Sequence, residues 1–373
     1  MRLFLAIVTV FVFSVSTALA QSEDWLVLPT THTDEVSWME PTVAEVSSAL
    51  RRQGIGVWSS GQAVVAFEQR GSAPPSPIAE STIQAWEARS NAAVRQLSLG
   101  DYPRALAELE AAQALSQSSL EQLNRDPERA RLVLDTCIYM VRALLETGDA
   151  PSTQAQARDC VRMVPNTEPT RYMHPPRVAD LYAEAARPGP ENRGALLIES
   201  EPSGCALRIN GVAVGKTPVE MTGLYPGDYR AQLECDTSKQ GRIHPAQVSS
   251  GRTALFIFDR FDQALSSKPV LHLSYEQPAA DSEQVRDARQ LARALPAAAV
   301  VLASANQERG LELRLISGAR KDSAFARIAT TPSGPDSAAV TQAVATLLSG
   351  QCRDLSGERP VILDCGTGKV AVA

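Results

Sequence analysis

The chain has 373 residues, of which 44% are hydrophobic, 21% charged and 5% aromatic. That usage excludes wholesale disorder and leaves enough chain for two or three domains. A formal net charge of −6 argues against a nucleic-acid-binding surface as the main business of the protein. The 36 basic residues include only five Lys, an Arg bias that a GC-rich genome explains.

The chain opens with Met1-Arg2, an apolar run from Leu3 to Val15, and small residues at Ala18 and Ala20. This pattern predicts a secretory signal peptide over residues 1–20, cut before Gln21. The apolar run is short for a spanning helix, and no Cys follows the cut, so neither a membrane anchor nor a lipoprotein is expected. The expected product is a periplasmic or secreted protein of 353 residues and net charge −7, with no membrane span. Export makes disulfides the default for the six cysteines, Cys137, Cys160, Cys205, Cys235, Cys352 and Cys365. Their spacing suggests three local bridges. No Cys-x-x-Cys occurs and no His lies within four residues of a Cys, which argues against a metal site.

Residues 21–71 predict a small α/β unit. Trp25–Pro29 reads as a buried strand, Pro41–Gln53 as a helix, Ile55–Trp58 as a second strand and Ala63–Phe67 as the start of another helix. The Pro-rich stretch Gly71–Pro77 closes the unit as a linker.

Residues 78–187 predict helices. Gly100-Asp101-Tyr102-Pro103 stops one and starts the next, and Gly148-Asp149-Ala150-Pro151 repeats the device. Asp126-Pro127 starts a long helix, and Pro165 ends the last of the set. Cys137 and Cys160 stand about level on either side of the second turn at ~1.5 Å per residue, so a bridge fits. Gly100, Tyr102, Ala105, Leu109 and Ala112, then Gly148, Cys160 and Pro165, resemble tetratricopeptide repeats. The turns are 48 residues apart where that family has 34, and the usual first-helix aromatic is missing. The resemblance implies a peptide-presenting groove.

Residues 194–260 predict strands at Ala195–Ser200, Cys205–Asn210, Asp228–Cys235 and Thr253–Asp259, with an Asn210-Gly211 hairpin. Pro202-Ser203-Gly204-Cys205, then Gly215-Lys216-Thr217-Pro218, then Leu224-Tyr225-Pro226-Gly227, resemble in order and spacing a PEGA domain over about residues 194–236. The resemblance implies a small β-sandwich of exported bacterial envelope proteins and no catalytic residues. Cys205 starts one strand and Cys235 ends another, so antiparallel neighbours would bring them together. The turns around Lys216, Tyr225 and Tyr229 offer a tentative binding surface.

Residues 268–373 predict a second small α/β unit. Its elements are a strand at Val270–Leu273, a helix at Asp281–Leu295, strands at Ala298–Leu302 and Leu311–Ile316, and a helix at Pro335–Leu348. Cys352 and Cys365 close a short loop, and Pro360–Asp364 with Lys369–Ala373 predict a terminal hairpin.

Chemistry is sparse. Asn210–Thr217 superficially resembles a phosphate-binding loop, but Asn210 stands where Gly is needed and Pro218 stands where a helix must start. His32, His174, His244 and His272 show no metal spacing, and structural or solvent roles are expected for each. Glu108 with Glu110 and Glu121 with Asp126 read as solvated helix faces. No Gly-x-Ser-x-Gly elbow occurs. The fold expected is α+β and multidomain: small α/β units at both ends, a helical-hairpin middle and an all-β sandwich. The function expected is a non-enzymatic envelope protein contacting other envelope proteins, without cofactor, metal or nucleic acid. Peptidoglycan binding through the β-module is the alternative, and a hydrolase built from scattered residues a second.

Overall fold

The computed structural model describes residues 24–187, 193–235, 240–275, 277–295, 297–306, 310–317, 323–331, 334–357 and 359–371. The expected signal peptide lies outside the described residues. The chain divides into two compact units, residues 1–60 with 275–373 and residues 61–274.

In the first unit, all six residues of the strand Leu26–Thr31 are buried. A strand covered on both faces needs neighbours from elsewhere in the chain. Ala299–Asn306 supplies one in parallel register, with Leu26 beside Val300 and Thr30 beside Ser304. The sheet continues through antiparallel Gly310–Ser317 and Phe325–Ile328 to Cys352–Asp354 and Val361–Ile362. Helices Met39–Arg52 and Ser337–Leu348 pack on each other and on the sheet. The helix Asp281–Ala294 meets the face that carries Ser304 and Arg314. The two end segments, each too small to stand comfortably alone, form one unit, because neither holds enough strands to cover Leu26–Thr31.

The expected strand at Ile55–Trp58 is reduced to a single parallel bridge between Trp25 and Val57. Gly54 turns the backbone at φ +78°, and Gly56 lies against Asp24, whose Oδ1 is 1.8 Å from where a Cβ would sit. At the far end, Leu363 bridges Val370, and the Asp364 carboxylate accepts from the amides of Gly366 and Thr367. This is the expected terminal hairpin.

In the second unit, the helices Ser60–Arg70, Glu80–Leu99, Tyr102–Ser118, Pro127–Glu146, Ala150–Met163 and Pro176–Ala186 follow one another. Their ends follow from local chemistry. Gly100 takes φ +76° and closes the first long helix. Asp101, Asp126 and Asp149 each accept from an amide in the first turn of the next helix, and a Pro occupies that turn without loss of a needed donor. Helix Pro127–Glu146 is central. Leu134, Ile138 and Val141 are at 0% exposure in one cluster, while Tyr139, Met140 and Ala143 enter a second with Leu97 and Leu109.

The β part of this unit holds two sheets. One runs Val219–Leu224, Gly194–Glu201, Gly251–Phe258, and the other Val212–Lys216, Ala206–Ile209, Gly227–Glu234, Ile243–Val248. They share a core that includes Leu196, Ile198, Leu207, Tyr229 and Ile257. Asn210 at φ 50° and Gly211 at φ 86° make the tight hairpin turn. Val212–Lys216, Val219–Leu224 and Ile243–Val248 are strands the sequence pattern did not single out. Half-exposed edge strands carry weak alternation, as the mostly exposed Val212–Lys216 shows. A short pair, Leu265–Ser266 with His272–Ser274, ends the unit.

Candidate functional site

The three expected cysteine pairs are joined. Cys137–Cys160, Cys205–Cys235 and Cys352–Cys365 have Cα separations of 5.7, 4.3 and 5.4 Å. The first ties the central helix to its successor, and the second ties the start of Ala206–Ile209 to the end of Gly227–Glu234.

The three expected turn residues separate. Lys216 is exposed at the end of its strand. Tyr229 is 1% exposed and belongs to the sandwich core, its hydroxyl donating to the carbonyl of Tyr225. Burial pushes its hydroxyl up to about 12. The Tyr225 hydroxyl donates to the carbonyl of Ala185, at the end of the last helix, and Arg193 lies over its ring at 3.9 Å. Alternation along Gly227–Glu234 turns Tyr229 inward, while Tyr225 is half-buried.

The β-module is joined to the helices by buried polar contacts. Asn124 and Asn210 are each 2% exposed. The Asn124 amide donates to the Asn210 carbonyl at 2.9 Å, and the Asn210 amide donates to the Arg162 carbonyl at 2.8 Å. Asn210 Oδ1 in turn accepts from the Arg230 amide. Arg125 and Arg208 converge on Glu234, and Arg230 pairs with Glu121. Glu121, expected on a solvated face, is 6% exposed because this interface covers it. Helices and sandwich therefore meet through a buried polar junction.

A second polar cluster is built around Asp135. Asp135, in the central helix, accepts from the Thr170 amide at 2.9 Å, from the Thr170 hydroxyl and from His174 Nε2 at 3.0 Å. His174 and Asp135 side chains are each 3% exposed, and the His174 ring packs 5.0 Å from that of Tyr139. His174 Nδ1 is buried without a partner, so the proton belongs on Nε2. Burial alone would raise the Asp135 carboxyl, but the hydrogen bonds from His174 and Thr170 outweigh it and hold the group below the usual carboxylate range. Tyr182 closes the cluster by donating to the Thr167 carbonyl, and burial pushes its hydroxyl up to about 12.

These contacts pin both ends of a loop whose tip is bare. Tyr172, at φ 61°, is 101% exposed, and Met173 is 49% exposed. The sequence assigns His174 a structural or solvent role but no partner, since its carboxylate partner lies 39 residues earlier. His244 likewise faces a carboxylate: its Nε2 is 2.9 Å from Asp262 Oδ2, but off hydrogen-bond geometry. His272 is buried, with Nδ1 2.9 Å from the Val270 carbonyl.

Among the described residues no helix is long and apolar enough to cross a membrane, and no three His, Cys, Asp or Glu residues converge as a metal set. No curated protein and no solved structure matches the chain. Residues 193–237, which hold the strands from Gly194–Glu201 to Gly227–Glu234 and the Cys205–Cys235 bridge, match the family model of the PEGA domain.

Proposed function

We propose that the protein is a non-enzymatic exported envelope protein, periplasmic or secreted, that acts as a protein–protein interaction or assembly module. Three disulfides and a PEGA-domain match support export. The antiparallel helices on either side of Gly100 and Gly148 resemble tetratricopeptide hairpins, a scaffold used to hold peptides and proteins.

The observation that carries the reading is the strapped loop. Tyr172 stands fully in solvent while Thr170 and His174, on either side of it, are bound to buried Asp135. An exposed aromatic on a preorganised loop loses little conformational freedom on docking, which is what an interface anchor requires.

The test is proximity crosslinking in an envelope fraction, with the full oxidised chain and with the double variant Tyr172→Ala, Met173→Ala. A defined partner crosslinked by the parent and lost from the variant, with all three disulfides retained, supports the reading. An unchanged crosslinking pattern removes the loop from it.

A further inference from the structure

The discontinuous first unit holds a site of a different kind. Register across its sheet lines up Thr30, Ser304, Glu312 and Arg327 in one row. Leu28, Leu302, Arg314 and Phe325 make the next row on the same face. A cavity of about 170 Å³ lies against these rows, at the carboxyl ends of the parallel strands Leu26–Thr31 and Ala299–Asn306. Crevices at that end of parallel strands are where α/β sheets accept ligands.

Thr30 is 4% exposed and lines the cavity. Ser304, beside it, donates to Gln284. The amino end of helix Asp281–Ala294 borders the same space. Its cap residue is Ala280, which has no side chain to satisfy the first-turn amides.

Arg314 supplies the charge. Its side chain is 15% exposed, and its guanidinium lies over Phe325 at 5.2 Å. It pairs with Glu312 at 2.6 Å and with Asp281 at 2.9 Å. Glu312 is shared, because its other oxygen accepts from Arg327 at 3.0 Å. Asp281 is different: its side chain is 76% exposed. A carboxylate that open to water is weakly held, while Arg314 is 15% exposed and stays fixed by Glu312. With Asp281 swung away, two arginines face one glutamate and the cluster keeps one positive charge.

We infer that this cavity binds a small molecule carrying one oxyanion, a carboxylate or a phosphate, which takes the place of Asp281 on Arg314. The anion sits at the amino end of the helix, where the Ala280 carbonyl already holds the Glu283 amide and the helix dipole favours negative charge in the place Asp281 leaves. The Thr30 hydroxyl hydrogen-bonds the body of the ligand. The volume fits a molecule of about the size of one aromatic ring, since cavities of roughly 150 Å³ accept benzene.

Calorimetric titration of the full oxidised chain with acetate, lactate, benzoate and inorganic phosphate tests this, and the four probes separate carboxylate from phosphate. At least one should bind saturably. Asp281→Asn should tighten that binding about fivefold to tenfold by removing the resident competitor, and Arg314→Gln should weaken it by about tenfold or more. Thr30→Val keeps shape and should weaken it several-fold. If Arg314→Gln fails to fold, the two conservative variants still decide. Weaker or unchanged binding in Asp281→Asn overturns the inference. So does saturable binding of putrescine in place of the anions, or no binding of any probe tighter than about 10 mM to parent and Asp281→Asn alike.

Discussion

Gly211 lies so close to the backbone of Glu121 that a Cβ on it would stand 2.5 Å from the Glu121 carbonyl oxygen. Gly211 also sits at φ +86°, a conformation that costs an L-residue about 1–2 kcal/mol. Gly211→Ala should therefore add steric displacement of the helix–sandwich junction to the backbone penalty. Gly100, at φ +76° with nothing within 4 Å, supplies the control. In urea melts Gly100→Ala should cost about 1 kcal/mol and Gly211→Ala clearly more, about 2–3 kcal/mol. Equal losses would mean the contact carries no weight.

Asp135 makes the strapped loop pH-sensitive at the acid end. Its carboxyl is held below the usual range, so its contribution is complete above the unfolded value, about pH 4, and is lost as pH falls through the lower folded value. Asp135→Asn should cost about 1–3 kcal/mol at neutral pH. It should also open the bond between Tyr172 and Met173 to limited proteolysis, and flatten the acid limb of the stability curve. A loop as resistant as the parent's would show that the strap does not depend on the charge.

Tyr182 and Tyr229 contribute to the alkaline limb. Both hydroxyls are pushed up to about 12 by burial. The folded state thus favours the neutral phenol. That stability is intact below the unfolded value of about pH 10 and is lost as pH rises towards the folded value. The part of the tyrosinate absorbance that comes from Tyr182 and Tyr229 should rise together with unfolding. Tyr229→Phe should remove part of that rise and cost about 1 kcal/mol through the hydrogen bond to Tyr225.

The cysteines give a covalent prediction. Non-reducing peptide mapping should recover Cys137 with Cys160, Cys205 with Cys235 and Cys352 with Cys365. The bridges close loops separated by 23, 30 and 13 residues. Replacing Cys137 and Cys160 together by Ala should cost about 2–4 kcal/mol in the chain-entropy account. A scrambled map from protein folded under oxidising conditions would contradict the arrangement.

Local features were legible in the sequence and distant ones were not. Asp101, Asp126 and Asp149 announce helix starts because capping chemistry acts within three residues. Asn210-Gly211 announces a hairpin because the turn demands positive φ at both positions. The three bridges were readable because each lies within one supersecondary element. By contrast, Tyr229 was read as surface because a turn motif precedes it, while strand alternation turns it inward. Glu121 and His174 were missed for another reason. Their partners, Arg230 and Asp135, lie 109 and 39 residues away, and no local pattern encodes a contact of that range. Arg314 carried no signal at all in an alternating strand. Its meaning comes from Asp281 and Glu312 meeting at one end of a sheet.

The strand Leu26–Thr31 waits a long time for its neighbour. Its partner Ala299–Asn306 is separated from it by the whole of residues 61–274 and more. In a chain made from its amino end, the helical and β unit is complete before that partner exists. Six residues destined for complete burial then remain available to any passing strand edge. The first unit is thus the kinetically exposed part of the molecule. It is the part whose yield should depend most on holding factors during synthesis.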